Sequence, residues 1–253
     1  MPYRVLNPLR QRGFTLVEVM IALTIGLFLS GGILALFITS KQSYHVSEAM
    51  SEVQERGRFA IEFLARDLRQ AGFREFDQAT NVQTTLTEPI IIGWEGANVD
   101  PSTESLASYT AQTDVFRIRY RWFDSDTNAF TDRQVLYYIA PSSVPGLRRK
   151  IDTSNAQELM EGVYDMQISY GLDTDGDDQL DSYALASAVA DWNQVVTVRV
   201  NLLLRSSENN QAEAPMALPF LLNDGTTTFI ASTGDRGIYQ MFSTTIALRN
   251  RLP

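Results

Sequence analysis

From Phe14 to Ile38 the chain reads FTLVEVMIALTIGLFLSGGILALFI, 25 residues with a single charge, Glu18. As a helix this run is roughly 37 Å long, enough to cross a bilayer core of about 30 Å with some tilt. It is too long for the apolar core of a secretory signal peptide, and no A-x-A cleavage pattern follows it. Met1 to Gly13 carries Arg4, Arg10 and Arg12 and no acid, so the N-terminal end is expected to stay cytoplasmic. Glu18 conflicts with a plain anchor, because an ionised group inside a membrane is costly and needs a partner. The nearest cation would be a free α-amino group, made by cutting the chain between Gly13 and Phe14.

Composition narrows the chemistry. The 253 residues are 44% hydrophobic and 20% charged, which excludes collagen, wholesale disorder and a polytopic membrane protein. The formal charge of −9 argues against nucleic acid, whose non-specific affinity comes from Lys and Arg on phosphates. There is no cysteine and one histidine, His45, so disulfides, thiolate chemistry and multi-histidine metal sites are ruled out. An enzyme would have to work with a carboxylate pair, and nothing in the sequence places two acids around a pocket.

Gly13-Phe14-Thr15-Leu16-Val17-Glu18, behind a short basic leader and ahead of a long apolar run, resembles the processing signature of type IV prepilins and type II secretion pseudopilins. The resemblance implies cleavage after Gly13 by a membrane prepilin peptidase and N-methylation of the new Phe14 amine. It also implies that Glu18 pairs with a neighbouring subunit's N-terminal amine during assembly. Physically, cleavage removes three cations that resist membrane entry and creates an amine that is largely cationic at neutral pH. It takes the formal charge from −9 to −12. Gly26, Gly31 and Gly32 interrupt the run, either as close helix-packing positions or as a point of local unwinding. Many major pilins carry a proline in the later part of this segment, and this chain has none.

After Thr39 the pattern turns amphipathic. Val46, Met50, Val53, Gly57, Ala60, Leu64, Leu68 and Ala71 form one stripe, with Glu52–Arg56 and Glu62–Arg66 as i,i+4 pairs and Gly72 as C-cap. One helix from Phe14 to Ala71 would be roughly 87 Å long. Beyond residue 73 the signals are β: Pro89–Trp94, Asp114–Phe123, Arg133–Ala140, Leu147–Ile151, Val163–Tyr170, Val195–Arg205 and Ile238–Arg249. In Asp114–Phe123 the side chains of Phe116, Ile118, Tyr120 and Trp122 face one way and Arg117, Arg119 and Arg121 the other. That arginine row reads as a solvated face paired with acids across the sheet, with a docking strip as the alternative. Val196, Val198, Val200, Leu202 and Leu204 make a core face, and Asp224-Gly225 reads as a turn between short edge segments. The expected fold class is α+β, a pilin-like lollipop whose long N-terminal helix packs on a mainly antiparallel sheet. The expected division is a cleaved leader 1–13, a transmembrane and assembly helix 14–38, its amphipathic continuation 39–72, and a soluble domain 73–253.

Gly171 to Tyr183 reads GLDTDGDDQLDSY. Asp173, Asp175 and Asp177 take positions 1, 3 and 5 of a calcium loop and Asp181 position 9. The pattern is incomplete: Asp178 stands where the EF-hand glycine belongs, and Ala184 where its bidentate acid belongs. Either a Ca²⁺ ion relieves the mutual repulsion of these carboxylates, or the segment is a solvated acidic turn. No cofactor is otherwise expected.

ARDLRQAGF (65–73), the aspartate loop and FSTTIALRNR (242–251) resemble PilW-type minor pilins of Gram-negative type IV pili. The resemblance implies a low-abundance subunit that primes pilus assembly and sits at the tip. The implied partners are other minor pilins, the major pilin, a PilY-type tip adhesin, the prepilin peptidase and the inner-membrane assembly platform, with no nucleic acid. The implied location is the inner membrane before assembly, with a single pass and a cytoplasmic N-terminus, and afterwards the periplasm-spanning pilus and cell surface. The alternative within the superfamily is the J-type minor pseudopilin of type II secretion.

Overall fold

The computed structural model describes residues 13–77, 82–87, 89–96, 108–222 and 225–250. The leader arginines Arg4, Arg10 and Arg12 and Asp224 of the expected turn lie outside them. The chain divides into two compact units, one ending at His45 and one running from Val46. Each is described by itself.

In the first unit the helix α1 (Leu16–Gln70) exposes every side chain from Leu16 to Ile38. An all-round apolar helix with nothing covering it is built for a non-aqueous surrounding. Its hydroxyls do not disturb it, because Thr24 Oγ1 donates to the Met20 carbonyl at 2.8 Å and Thr39 Oγ1 to the Ala35 carbonyl at 3.0 Å.

In the second unit α1 becomes one-sided. Ala49, Val53, Gly57, Ala60, Leu64, Ala65, Asp67 and Leu68 are buried. Ala49 takes the place expected for Met50, which is exposed. Arg56 pairs with Glu52 at 2.7 Å. Arg66, expected on Glu62, instead lies 4.6 Å over the Phe63 ring and 3.8 Å from Asp67. The helix stops as its sequence demands. Gly72 takes φ +78°, a conformation that side chains resist, and the Asn250 amide donates to the carbonyls of Arg69 (2.9 Å) and Ala71 (3.2 Å). Those carbonyls have no partner within the helix.

After α1 come a small ribbon of β1 (Phe76–Asp77) and β2 (Val82–Gln83), then β3 (Ile91–Trp94), β4 (Val115–Asp124), β5 (Ala129–Ala140), β6 (Gly146–Ile151) and β7 (Gln157–Glu161). β3 to β7 form a five-stranded antiparallel meander in chain order. β8 (Val163–Leu172), β9 (Ser182–Ala184), β10 (Val195–Arg205) and β13 (Tyr239–Ala247) form a second antiparallel sheet in the order β13-β10-β8-β9. Between β10 and β13 the hairpin β11 (Ala217–Leu221) and β12 (Thr228–Ile230) folds back. There, Phe220 and Phe229 cover Leu203 and Tyr239 on the outer face of that sheet.

One core joins the buried stripe of α1 to the inner faces of both sheets, with Phe116, Ile118 and Tyr120 of β4, Tyr137 of β5, Met166 and Ile168 of β8 and Val198, Val200 and Leu202 of β10. Two expectations need correction. Trp122 is 42% exposed, because the β4–β5 hairpin outruns its neighbours there; its ring is covered by Arg133, 4.4 Å above it. A register shift between Val195 and Thr197 puts Val195 in the main core, while Val196, though buried, packs outside it.

At Gly57 the helix backbone comes close to the sheet. A Cβ there would lie 2.2 Å from the Phe242 ring of β13. Alanine normally stabilises a helix by about 1 kcal/mol over glycine. Here we expect Gly57→Ala to destabilise by about 1–2 kcal/mol, because the ring must move. Denaturant unfolding of the full chain in detergent measures this, and an increase in stability would show that Phe242 yields freely.

Candidate functional site

The N-terminus of α1 is built by its own first turn. The Thr15 amide and hydroxyl both donate to Glu18 Oε2, each at 2.9 Å, and the Glu18 amide donates back to Thr15 Oγ1 at 3.2 Å. This is a reciprocal capping box that satisfies orphan amides of the helix. T-x-x-E ahead of an apolar run is the sequence signature of such a box, so Thr15 is a site residue that the local sequence already marks. The box holds Glu18 on its own chain, beside a shallow groove of about 460 Å³ lined by Phe14, Val19, Ala22 and Leu23. Gly13 immediately precedes this turn. Cβ atoms built at Gly13, Gly26, Gly31 and Gly32 meet nothing within 4 Å, so no contact within the described residues requires glycine there. His45 is exposed.

The aspartate segment forms a turn between β8 and β9 that is held by its own backbone. Asp173, buried at the end of β8, accepts from the amides of Gly176 (2.7 Å) and Asp178 (3.0 Å). Asp178 takes φ +63°, the left-handed conformation for which the EF-hand uses glycine. Asp173, Asp175 and Asp177 each present an oxygen within 4.8 Å of the others. Asp181 does not join them; the Thr174 amide and hydroxyl hold its Oδ2 at 2.7 and 2.6 Å. The turn therefore gathers three of the four expected carboxylates, against the six to eight oxygens a Ca²⁺ ion takes. At Asp175 the amide of Asp177 favours the charged form. Repulsion from Asp177, desolvation, and the charges of Asp181 and Asp173 outweigh it and raise the pKa.

The arginine row is engaged within the domain. Arg121 is clamped by Glu75 (Nη2 at 2.8 Å, Nε at 3.0 Å) and Asp132 (Nη1 at 2.8 Å), and the Arg121 bonds hold the Glu75 carboxyl down at about 2. Arg117 lies 5.5 Å from the Trp94 ring centre, and Arg119 reaches the Pro89 carbonyl at 3.5 Å. Of the row, Arg121 is paired with acids as the paired-face reading expects, and all three arginines are half-buried rather than solvated.

Two buried acids carry no signature in the sequence. Asp67 of α1 accepts a short hydrogen bond from the Tyr137 hydroxyl and an ion pair from Arg149 Nη2 at 2.9 Å, which ties the helix to β5 and β6. Asp114, 2% exposed, joins the two sheets: its amide donates to the Met166 carbonyl and its Oδ2 accepts from the Ile168 amide at 2.7 Å. Its Oδ1 and the Tyr170 hydroxyl are buried with no hydrogen-bond partner among the described residues. Burial pushes the Asp114 carboxyl up to about 8, against the pull of the Ile168 amide and with help from Asp165 and Glu95. Burial likewise raises Asp165 to about 6.

With this geometry in view, three comparisons bear on the chain. Residues 136–250 match the family model "Type IV Pilus-assembly protein W", and residues 8–34 match the "Prokaryotic N-terminal methylation motif". Both are features of pilins, a class defined by assembly rather than catalysis. The pilin-like protein PilA3 of Thermus thermophilus is 30% identical over 166 residues, covering 63% of this chain and 67% of that one. A type IV-like pilin of Thermus thermophilus overlays on 79% of this chain and 97% of its own at 12% identity and a TM-score of 0.44. The chain belongs to the type IV pilin family and carries a PilW domain. Its motif and apolar helix mark it for membrane anchoring and for assembly with other pilins.

The raised carboxyls of Asp114 and Asp165 make stability fall as pH rises. A carboxyl whose folded pKa lies above its unfolded value near 4 holds a proton that the unfolded chain releases. Stability is then lost as pH rises from about 4 through the folded value, here about 6 and 8. Asp114→Asn keeps an acceptor for the Ile168 amide and removes the titration. Compared with the parent in detergent, its melting temperature should be little changed at pH 4 and several degrees higher at pH 9. Parallel pH profiles would contradict the assignment.

Proposed function

We propose that this chain is a minor pilin that primes type IV pilus assembly and takes a place at the pilus tip. The observation that carries this reading is the pairing of a PilW match over residues 136–250 with an N-methylation match over residues 8–34. Its role is structural, not catalytic. It works in a complex with other minor pilins, the major pilin and a PilY-type tip adhesin, after passage through the prepilin peptidase and the inner-membrane platform. Before assembly it is held in the inner membrane with a cytoplasmic N-terminus, and afterwards it sits in the pilus and at the cell surface.

The leader 1–13 is removed between Gly13 and Phe14, and the Phe14 amine is methylated. The amphipathic segment 39–72 and the domain 73–253 follow the anchor 14–38. Glu18, which in the intact chain is held by Thr15, then pairs with an N-terminal amine. Two opposite charges buried together in lipid cost far less than either alone. The J-type pseudopilin reading is not favoured, because the matched domain is named for pilus assembly.

Deleting the gene is expected to abolish surface pili while the retraction motor is active and to restore part of them when the motor is removed. Full piliation with retraction active would contradict the priming role. Glu18→Ala should leave cleavage intact and reduce incorporation into sheared pili by about tenfold or more, the equivalent of one lost ion pair. Normal incorporation would remove Glu18 from assembly.

Calcium at Asp173, Asp175 and Asp177 is an accessory part of the proposal, supported by the convergence of their oxygens and the raised Asp175 pKa. Calorimetry with calcium alone should give saturable heat that Asp175→Asn removes. No heat at millimolar calcium would remove the site.

A further inference from the structure

Past the leader, the first unit carries two charged side chains, Glu18 and Lys41. Glu18 is held by its own first turn. Lys41 is exposed just beyond the apolar run, with Tyr44 and His45 at i+3 and i+4 on the same face of α1. Tyr44 is 77% exposed. Among the described residues, no side chain bonds, pairs or stacks with any of these three. An ammonium and a tyrosine at the end of a lipid-facing helix match the layer where a bilayer turns from hydrocarbon to phosphate. The tyrosine offers an apolar ring with a polar tip, and the ammonium meets an anion there.

Spacing makes the match specific. Glu18 and Lys41 lie about 35 Å apart along the helix, a little more than a hydrocarbon core of about 30 Å. Both charges clear the hydrocarbon only when the helix is centred near Leu29, midway between them. The apolar run Phe14–Ile38 is centred on Gly26 instead. Centred there, Glu18 would lie about 12 Å from the midplane, inside the hydrocarbon, where an ionised group is costly. Apolar burial alone therefore seats the helix about 5 Å from where its charges are best placed.

We propose that Lys41, with Tyr44 and His45 beside it, binds the phosphate layer of the membrane surface through which the helix leaves, and that this contact holds the helix centred near Leu29 with Glu18 in the opposite headgroup layer. The inference rests on the reading of Phe14–Ile38 as a single-pass anchor. The membrane is the occupant because the contact continues the lipid-facing surface: every side chain from Leu16 to Ile38 is exposed, and exposure carries on unbroken through Lys41 to His45. The sequence has no acid between Glu18 and Glu48, so a second copy standing parallel in the same membrane offers Lys41 no carboxylate at its own level. Phospholipid phosphates form a continuous anionic layer there. Seated so, Glu18 meets headgroups and water before assembly, and its carboxylate needs no cation in lipid.

The full chain has no cysteine, so a nitroxide label on Ala22→Cys, Gly26→Cys, Leu29→Cys or Ile33→Cys, one at a time, reports depth from its collisions with oxygen and with a water-soluble nickel chelate. In vesicles of phosphatidylethanolamine and phosphatidylglycerol the label at Leu29 should be deepest. Lys41→Glu with Tyr44→Ser should move the deepest point to Gly26, a shift of about 5 Å, and Lys41→Arg should leave it at Leu29. In vesicles of digalactosyldiacylglycerol, which has no phosphate, the parent chain should also be deepest at Gly26. A parent profile deepest at Gly26 in phospholipid, a profile that Lys41→Glu with Tyr44→Ser leaves in place, or one that stays at Leu29 without phosphate would each overturn the proposal. In those three cases the labels remain in lipid and the anchor reading stands. Labels in water at every position would remove the anchor reading and the proposal with it.

Discussion

One helix serves two surroundings, and the rest of the molecule follows from the change between them. Through Ile38 α1 is apolar on every side and is covered by nothing. From Ala49 it buries a stripe of small and branched residues under two sheets. Small residues at Ala49, Gly57 and Ala60 bring the backbone close to the sheet, and Gly57 gives up its side chain entirely to the Phe242 ring. A helix chosen only for propensity would not place glycine there; the contact with β13 outweighs the local cost. Burial alone does not fix how far a smooth apolar stripe slides along a sheet. Asp67 supplies that, because a buried carboxylate held by Tyr137 and Arg149 has one satisfactory position, and moving it strands a charge.

The acidic residues divide by what burial does to them. On the surface turn, Asp175 and Asp177 are exposed and share their repulsion with solvent, while the buried Asp173 is held by the Gly176 and Asp178 amides. Inside, no cation among the described residues bonds Asp114 or Asp165, and burial favours their protonated forms. Asp114 nevertheless sits where the two sheets meet, with backbone bonds to Met166 and Ile168 of β8. A neutral carboxylic acid can accept from an amide without the full desolvation cost of a charge. The junction is thus held by a polar group whose price grows with pH.

What was legible in the sequence was whatever repeats with a period. The 25-residue apolar run, the stripe on α1 and the long strands β4, β8 and β10 were located within a few residues, because each buries one face over many positions. The short strands β1, β2, β7 and β9 were missed, since two to five residues rarely show an alternation, while β11 and β12 were legible only as short segments flanking the Asp224-Gly225 turn. Trp122 kept the alternation of β4 but not its burial, because the pattern cannot tell where a neighbouring strand stops. Of the site, Gly13, Phe14 and Glu18 were legible as a local motif, and Thr15 was equally legible as a capping box. Asp67 and Asp114 were not. Their partners lie 70 and 54 positions away, and nothing in a single sequence announces such a pairing. The aspartate loop was legible as a cluster but not as a geometry, since Asp181 turns to Thr174 rather than to its neighbours.

The missing cysteines pose a question that the fold answers. A pilin domain without a disulfide must tie its C-terminal segment by other means. Here β13 lies against β10 through nine paired residues, Leu248 is fully buried with its amide on the Val196 carbonyl, and Asn250 caps the last turn of α1. The C-terminal segment therefore completes both the sheet and the helix end. Each bond is worth only about 1 kcal/mol, but they are linked, and none is satisfied unless the strand is in register. Among the described residues, β13 has β10 as its strand neighbour on one side only.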